Sequence, residues 1–310
     1  MLFLTARNMY EQREEKWVFI INPISGKKKK SFVPDSIQDF FRDDHVKIKI
    51  KFTKYPGHAK KIARKQLKKG ATTIIAVGGD GTVNEVASSL VGSDTPLGII
   101  PFGSGNGLAR HLGIPLRIHR ALELLKQNTI RQIDYGLING KIPFFCTCGL
   151  GFDAHVGHKF SVSKERGFIA YVKTTLGEYW KYKPKKYRIS YDGKTLKKRA
   201  FLVTFANAAQ YGNNAYVAPE AEITDGQMDI SILSPFPPYL AFGIARRLFG
   251  RSIDKSPFMK TLRTNRASVK IKKDMILHYD GEPTNIKAGK LKISIVNKGL
   301  VVIVPKSFTA

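Results

Sequence analysis

No part of this sequence says more about its fold than IIAVGGDGTVNEV, residues 74–86. An apolar run ends at two glycines, which are followed by an acid, a third glycine and a helix-like run from about Thr82. A strand that turns directly into a helix points backbone N–H groups at one spot, and glycines let a phosphate approach closely. A carboxylate would repel a bare phosphate, so Asp80 predicts a metal ion between the two. A tight turn that simply needs glycines is the alternative for this motif alone.

Strand-like and helix-like runs alternate through the first part of the chain. Strands are predicted at 17–23, 46–52, 72–77 and 96–101, and helices at about 34–43, 57–70, 82–90 and 117–126. This alternation favours a mainly parallel sheet with helices on both faces. Ligands of such sheets bind at the carboxyl ends of the strands. NPISG (22–26) and PFGSGNGLAR (101–110) follow the first and fourth strands, so we expect both loops beside the GGDGT turn.

Short strand-like runs separated by turn signals follow in quick succession after about residue 130. They lie at 130–138, 142–149, 186–191, 199–206, 228–234, 267–271, 275–279, 291–297 and 300–304, with helical inserts near 163–180 and 237–250. The pattern predicts an antiparallel domain, sandwich-like or barrel-like. We therefore divide the chain into an α/β domain at 1–135, with 300–310 as a candidate addition, and a β-sandwich domain at 136–299.

The chain of 310 residues is strongly basic, since 52 Lys and Arg against 24 Asp and Glu give a formal charge of +28. Such an excess predicts a nucleic acid, an anionic membrane surface or a phosphorylated substrate as partner, with a solvated basic surface as the alternative. No apolar run approaches the roughly 20 residues of a membrane span, and the N-terminal run is too short for a signal peptide. Cys146 and Cys148 are predicted to be free and buried in a reducing compartment. These features predict a cytoplasmic protein.

Five motifs occur in the order NPISG, GGDGTVNEV, PFGSGNGLAR, GLGFDA and YDGEP. In this combination the chain resembles the diacylglycerol kinase-like lipid kinases, a family that includes sphingosine and ceramide kinases and soluble bacterial lipid kinases. The resemblance spans about Lys16 to Pro305. It implies an N-terminal domain like that of NAD kinases and phosphofructokinases, a C-terminal β-sandwich and a nucleotide in the cleft between them. The implied activity is ATP- and Mg²⁺-dependent phosphorylation of a hydroxyl group on a diacylglycerol-like or sphingoid-like lipid.

The resemblance also implies roles for individual residues around the nucleotide. Asp80 would organise the catalytic magnesium through water. The chemistry of phosphoryl transfer itself, apart from the resemblance, suggests that Lys27 or a neighbour adds positive charge. Glu282 matches the general base for the lipid hydroxyl, although a type I′ hairpin turn would explain DGE alone. The residues expected at the nucleotide are Asn22, Pro23, Ile24, Ser25, Gly26, Thr53, Gly79, Asp80, Gly81, Thr82, Val83, Asn84, Glu85 and Ser104.

Two further positions follow from the resemblance. Asp225, with the backbone carbonyls of Glu222 and Gln227, matches a structural magnesium site of the bacterial members. Many bacterial members have an acid where this chain has Gly107, and sphingosine kinases also lack that acid. The substitution implies either that metal binding relies more on Asp80 or that the substrate branch differs.

A basic amphipathic segment at 237–253 fits a membrane surface, with a helix packed on the sandwich as the equal alternative. The expected partners are thus a lipid substrate and an anionic membrane, with the enzyme peripheral at its inner face and a homodimer left open. NAD kinase is the alternative enzyme, because it shares GGDGT and the two-domain plan, but NPISG and YDGEP argue against it. A nucleic-acid-binding protein without catalysis is the second alternative, and no RNA or DNA motif supports it.

Overall fold

A computed structural model describes residues 15–26, 31–162 and 168–309. Lys27 and the lysines that follow it, where a phosphate contact is expected, lie outside the described residues, as do residues 163–167 of the first predicted insert. The strands are β1 Glu15–Ile21, β2 Val46–Phe52, β3 Thr73–Gly78, β4 Leu97–Pro101, β5 Ile130–Ile138, β6 Ile142–Phe144, β7 Thr147–Gly151, β8 Lys185–Tyr191, β9 Lys194–Ala200, β10 Leu202–Ala206, β11 Met228–Leu233, β12 Met259–Thr264, β13 Arg266–Ile271, β14 Met275–Tyr279, β15 Glu282–Ile286 and β16 Gly289–Ile303. The helices are α1 Val33–Phe40, α2 His58–Lys68, α3 Asp80–Leu90, α4 Gly107–His111, α5 Ile118–Gln127, α6 Phe152–Val162, α7 Phe168–Tyr179 and α8 Ala241–Phe249, with 3₁₀ turns at Pro238–Leu240 and Ile253–Lys255.

The first four strands form a parallel sheet in the order β2-β1-β3-β4. Every residue of β3 is buried, because helices cover both faces of the sheet and a strand there must be apolar on both sides. Helices α2, α3 and α4 pack on one face, and α1 and α5 pack on the other. β2 lies at the edge, where its alternating lysines face solvent and discourage pairing with another chain. The predicted parallel α/β domain is confirmed.

The long strand β16 joins the two parts of the molecule. Its last residues run parallel to β4, with Val302 opposite Leu97, and its first half pairs with β13. The sequence predicts two strands here with a turn at NKG, and this is wrong. The strand continues through a bulge between Val296 and Leu300, in which Lys298 has a positive φ of 50° and donates its N–H to the Asp134 carboxylate. β5 also runs across the predicted boundary at 135, so the two domains share one continuous sheet.

The second sheet is antiparallel, in the order β12-β11-β10-β7-β14-β15. Apolar side chains from its inner face meet those of β5, β6, β8, β13 and β16 in a shared core, which is the predicted sandwich. Cys148 lies in that core, and both cysteines are free and buried, as predicted. Helix α6 crosses the outer face of this sheet.

Several elements differ from the sequence prediction. Strands β12 and β15 and helices α4 and α6 are missing from it. The predicted strand 142–149 is the two strands β6 and β7, and the predicted strand 199–206 is two strands that meet at the buried Phe201. Helix α3 begins at Asp80 rather than at Thr82. α6 was missed because it begins directly after the GLG end of β7 and mixes glycine and histidines with its apolar residues, so no clear stripe marks it.

Candidate active site

Three loops that follow β1, β3 and β4 touch one another at the carboxyl edge of the parallel sheet. The α-carbons of Gly79 and Gly103 are in such close contact that a Cβ on Gly79 would lie 3.1 Å from the α-carbon of Gly103. Gly26 has a φ of 68° and packs its α-carbon on the carbonyl group of Phe102. Any side chain at these glycines would separate the loops. Their convergence, which the sequence predicts, is confirmed.

Asn22 ties the first loop to the second. Its side-chain amide donates to Thr82 Oγ1 at 3.1 Å, and its side-chain oxygen accepts the N–H of Ile24 at 3.1 Å. Ser25 Oγ donates to the Asn22 carbonyl at 3.1 Å. These bonds shape the NPISG loop beside the start of α3, while the Pro23 and Ile24 side chains remain exposed. Hydrogen bonds to the rest of the protein therefore fix the loop on its inner side, and its outer side is accessible to solvent.

The carboxylate of Asp80 is held by the third loop. Its Oδ1 accepts the N–H of Gly107 at 2.6 Å, and its Oδ2 accepts the N–H of Asn106 at 2.9 Å. Desolvation by burial raises the pKa of Asp80, the two backbone donors oppose this, and the charge of Asp280 raises the pKa further. Part of Asp80 still faces solvent, so the group is fixed in orientation and remains accessible from the cleft.

Asp280 lies at the tip of the β14–β15 hairpin and faces Asp80 from the sandwich domain. Positive φ angles at Asp280 and Gly281, with Tyr279 paired to Glu282, are those of a type I′ turn. The Asp280 carboxylate accepts three successive backbone N–H groups, from residues 145 to 147, and the side-chain amide of Asn84 at 2.8 Å. The predicted hairpin turn at DGE is therefore present, the catalytic role of Glu282 stays a prediction, and Asn84 links α3 to the sandwich.

Glu282 reaches across the cleft from β15 to the glycine turn. A Cβ placed on Gly81 would lie 3.0 Å from Glu282 Oε1. Desolvation is the largest cause that raises the pKa of Glu282, followed by the charges of Glu85, Asp80 and Asp280. Much of the residue is nevertheless exposed, which leaves the carboxylate open to a substrate that enters the cleft.

Four carboxylates meet in this cleft without a cationic partner among the described residues. Within residues 15–26, 31–162 and 168–309, none of them forms a salt bridge with Lys, Arg or His; they are Asp80, Glu85, Asp280 and Glu282. Their mutual repulsion would be relieved by a divalent cation. Mg²⁺ in kinases is commonly held by one or two carboxylates together with substrate phosphates, and the oriented carboxylate of Asp80 fits that requirement.

The other residues that were expected at the nucleotide either support the fold or are exposed. Glu85 accepts the N–H groups of Gly57 at 2.7 Å and Ala59 at 2.9 Å, so its carboxylate caps α2. Thr53 follows β2 and donates its N–H to the carbonyl of the last β1 residue at 2.9 Å. Val83 lies on the side of α3 that is buried in the core, and Ser104 is exposed at the tip of the third loop. A direct contact of these residues with a nucleotide stays a prediction.

Gly107 occupies a position at which a side chain would not fit. A Cβ there would lie 2.9 Å from the carbonyl oxygen of Tyr211 and 3.4 Å from Cys146 Sγ. The loop around Tyr211 is anchored in turn by the Asn213 N–H, which donates to the Gly105 carbonyl at 3.1 Å. In this chain the third loop therefore offers Asp80 a backbone N–H where many bacterial relatives of the resembled family would offer an acid.

The substitution Gly107→Asp is expected to destabilise the protein by about 1–3 kcal/mol, because the added side chain overpacks a backbone contact. It should also lower kinase activity, since moving Gly107 breaks its bond to Asp80. Thermal unfolding and turnover measure both effects. Gly177→Asp is a matched control for stability, because a Cβ at Gly177 has open space around it, and its activity is measured on an acceptor in micelles without anionic lipid. A Gly107→Asp protein as stable and active as the control variant would contradict this explanation.

The predicted structural magnesium site lies in the turn before β11. Asp225 Oδ1 accepts the N–H of Gln227 at 2.9 Å, and its Oδ2 lies 3.6 Å from the guanidinium of Arg263. Nearby, Asp134 accepts the N–H of Gly226 at 2.6 Å. Within the part of the chain that the structure describes, no group of three or more His, Cys, Asp or Glu side chains could hold a metal ion. A magnesium ion here would therefore depend on the Asp225 carboxylate and on backbone carbonyls. Arg263 would compete with the ion for the negative charge of Asp225.

A structural ion at Asp225 should raise the melting temperature when Mg²⁺ is added and lower it when EDTA is added, since a ligand bound to the native state alone stabilises it. The Asp225→Ala variant should lose this dependence. If the melting temperature does not respond to Mg²⁺ or EDTA, no ion binds at Asp225, and Arg263 alone balances its negative charge.

A polar cluster beneath the cleft was not foreseen from the sequence. Thr204, Gly149 and His278 stand in register on adjacent strands, and Asp153 Oδ2 fills the space above the glycine. That oxygen accepts hydrogen bonds from the hydroxyl groups of Thr204 and Tyr211, at 3.0 Å each, and lies 2.9 Å from His278 Nε2. Burial raises the pKa of Asp153. The charge of His278 and the hydrogen bonds to the carboxylate lower it by more, so the pKa lies below its ordinary value. The motif GLGFDA, which contains Asp153, was the one sequence signal for this cluster. The side chains that bond Asp153 are distant from it in sequence.

The two halves of the chain match two family models. Residues 16–138 match the diacylglycerol kinase catalytic domain, and residues 147–304 match the YegS C-terminal NAD kinase beta sandwich-like domain. A "probable lipid kinase YegS-like" from Pseudomonas aeruginosa (strain UCBPP-PA14) is 31% identical over 85% of this chain and 87% of its own. A diacylglycerol kinase from Bacillus subtilis (strain 168) is 30% identical over 93% of this chain and 95% of its own.

A solved structure of a diacylglycerol kinase from Bacillus anthracis str. Sterne has the same fold, with a TM-score of 0.74 and 20% identity over 96% of this chain and 100% of its own. The fold and site define a two-domain kinase with its cleft between a parallel sheet and a β-sandwich. The chain belongs to the diacylglycerol kinase-like family of lipid kinases, as the motifs predicted. The likeness to NAD kinase is given by the name of the second family, and that name refers to the β-sandwich domain. None of the described helices is long and apolar enough to span a membrane.

Proposed function

We propose that this lipid kinase transfers the terminal phosphoryl group of ATP to a hydroxyl group of a diacylglycerol-like or sphingoid-like lipid, with Mg²⁺ as cofactor. The observation that carries the proposal is the position of Glu282, whose carboxylate from the sandwich lies against Gly81 of the glycine turn. A carboxylate that could accept a proton and a glycine turn that could bind a phosphate thus come from two domains to one place. Phosphoryl transfer needs this juxtaposition together with charge neutralisation.

Each part of the site has a task in this reaction. The backbone of residues 79–82 and the NPISG loop would bind the phosphates, and Mg²⁺ held near Asp80 would neutralise their charge when bound. Glu282 would accept the proton of the lipid hydroxyl. Asp280 would hold the hairpin that carries Glu282, through the backbone donors of residues 145 to 147. We further propose that the enzyme acts in the cytoplasm, peripherally at the inner face of the membrane.

The test is phosphate transfer from labelled ATP and Mg²⁺ to a panel of acceptors in mixed micelles: diacylglycerol, monoacylglycerol, sphingosine, ceramide and phosphatidylglycerol, with NAD as the competing acceptor. Labelled lipid is the expected product. Labelled NADP without labelled lipid would favour the NAD kinase alternative. Salt-sensitive binding to DNA without ATP turnover would favour the nucleic-acid-binding alternative.

A further inference from the structure

Large apolar side chains project into solvent from two neighbouring segments of the sandwich domain. Leu176 and Trp180, at the end of α7, are 64% and 74% exposed, and Tyr239 and Phe242, at the start of α8, are 81% and 82% exposed. Single exposed apolar residues are ordinary on a protein surface, but neighbouring ones of this size indicate an interaction site.

The two segments are held side by side by a buried aromatic cluster. The Tyr179 ring lies 5.7 Å from the Phe236 ring and 5.5 Å from the Trp180 ring. Phe236 also packs on Phe201 at 5.3 Å, beneath both segments. The cluster fixes the end of α7 against the chain that leads into α8, so their exposed side chains belong to one surface.

Helix α8 has an outward apolar face that the core does not explain. Ile244 packs on the aromatic cluster and Leu248 packs beside Val217, so these two residues anchor the helix. Tyr239, Phe242, Arg246 and Phe249 recur at steps of three and four residues and are all exposed, so they line the opposite face. The sequence alone left membrane contact and packing as equal alternatives for this segment; one face of the helix is packed on the sandwich, and the other face is exposed.

Positive charge stands directly beside the apolar side chains. Arg246 and Arg247 line a surface cavity of about 350 Å³ together with Gly243 and Ser252. Among the described residues neither arginine forms a salt bridge. Arg247 donates to the Ser252 carbonyl at 3.5 Å, and Arg251 donates to the Pro219 carbonyl at 3.1 Å and stacks over Tyr216. The charges of Arg246 and Arg247 and the cavity they line suit an anionic headgroup.

We propose that this α7–α8 face, made of Leu176, Trp180, Tyr239, Phe242, Phe249 and the Arg246–Arg247 pair, docks on an anionic membrane surface. Tryptophan and tyrosine prefer the interfacial zone of a bilayer, where an amphipathic helix buries its apolar side. Arginines near that surface attract anionic lipid. A chain of charge +28 repels a second copy of itself, so the membrane is the better occupant for this face.

Helix α8, which carries the face, is linked to the cleft by one loop. Leu248 of α8 accepts the backbone N–H of Tyr216 at 2.9 Å, and the loop that leads to Tyr216 contacts the third glycine loop through Asn213 and Gly105. A membrane on this face would therefore lie beside the site from which a lipid hydroxyl must be reached. The inference deepens the proposed lipid kinase function, but binding can be measured without nucleotide, so each can fail independently of the other.

Sedimentation with vesicles tests the proposal. The full chain should bind vesicles of equal parts phosphatidylcholine and phosphatidylglycerol, bind pure phosphatidylcholine more weakly, and lose affinity as salt rises. Phe242→Ser should weaken binding about tenfold, because it removes a side chain that the interface would bury. The double variant Arg246→Ser/Arg247→Ser should weaken binding to anionic vesicles about 25-fold, at about fivefold for each arginine.

Matched controls separate the face from the overall charge. Lys186→Ser/Lys197→Ser removes the same charge from exposed positions of the β8–β9 hairpin, and Phe32→Ser removes an exposed phenylalanine from the α/β domain. Both controls should bind nearly as the parent does. Equal losses in control and test variants would overturn the proposal. So would normal vesicle binding by Phe242→Ser combined with a dimer-to-monomer change in its size, which would assign the face to a second copy.

Discussion

Replacing Asp80 with Asn should abolish phosphoryl transfer, with a loss of roughly 10²–10³-fold or more. Both carboxylate oxygens accept backbone N–H groups, from Asn106 and Gly107, and an amide can accept only one of them. The variant also removes the oriented negative charge that Mg²⁺ would need. Turnover of labelled ATP with the accepted lipid measures the effect.

The matched control for this variant is Asp94→Asn, at an exposed aspartate of the same domain. It should keep full activity. Melting temperature and nucleotide binding show whether Asp80→Asn remains folded. A folded Asp80→Asn enzyme with full turnover would remove Asp80 from the reaction.

Replacing Glu282 with Gln should cut turnover by about 10²–10⁴-fold, the usual contribution of a general base. Nucleotide affinity should barely change, because Glu282 approaches the glycine turn from the opposite domain and the loops do not depend on it for their shape. Glu220→Gln, at an exposed glutamate of the sandwich domain, is the control. If nucleotide binding falls as much as turnover, Glu282 serves the phosphates and not the lipid hydroxyl.

The pH profile of the parent enzyme carries a second sign of the same role. A general base must be deprotonated, so activity should fall as pH drops through the pKa of Glu282. Burial, and then the charges of Glu85, Asp80 and Asp280, raise that pKa. The acidic limb of turnover should therefore lie at higher pH than about 4.3, the ordinary value for glutamate. A limb at or below the ordinary value would argue against Glu282 as the base.

The meeting of the three loops was predictable because the geometry of parallel strands alone brings their carboxyl ends to one edge. The type I′ turn at Asp280 was predictable for a similar reason, since an Asp-Gly pair after an apolar strand has few other conformations. In both cases the controlling residues are close in sequence. Local chemistry placed Asp80 at the strand ends, but it was the resemblance of YDGEP to the family motif that placed Glu282 at the same cleft.

Other features depend on contacts between distant residues and left no local signal. Glu85 looks like a phosphate contact in the sequence, and only the packing of α2 against α3 reveals that it caps the neighbouring helix. Gly107 looks like a lost metal ligand, and only the path of the chain at Tyr211 shows that the space is filled. The NKG segment looks like a turn, and only its pairing with Asp134 keeps the strand continuous.

The route of β16 constrains the order in which the chain can complete its fold during synthesis. β4 has β3 on one side, and on the other side its neighbour is formed by residues 300–303 of β16. Those residues follow the whole sandwich in sequence, so the parallel sheet leaves the ribosome with an open edge. The α/β half cannot complete its sheet before the sandwich half has been made, so the two halves depend on each other during folding.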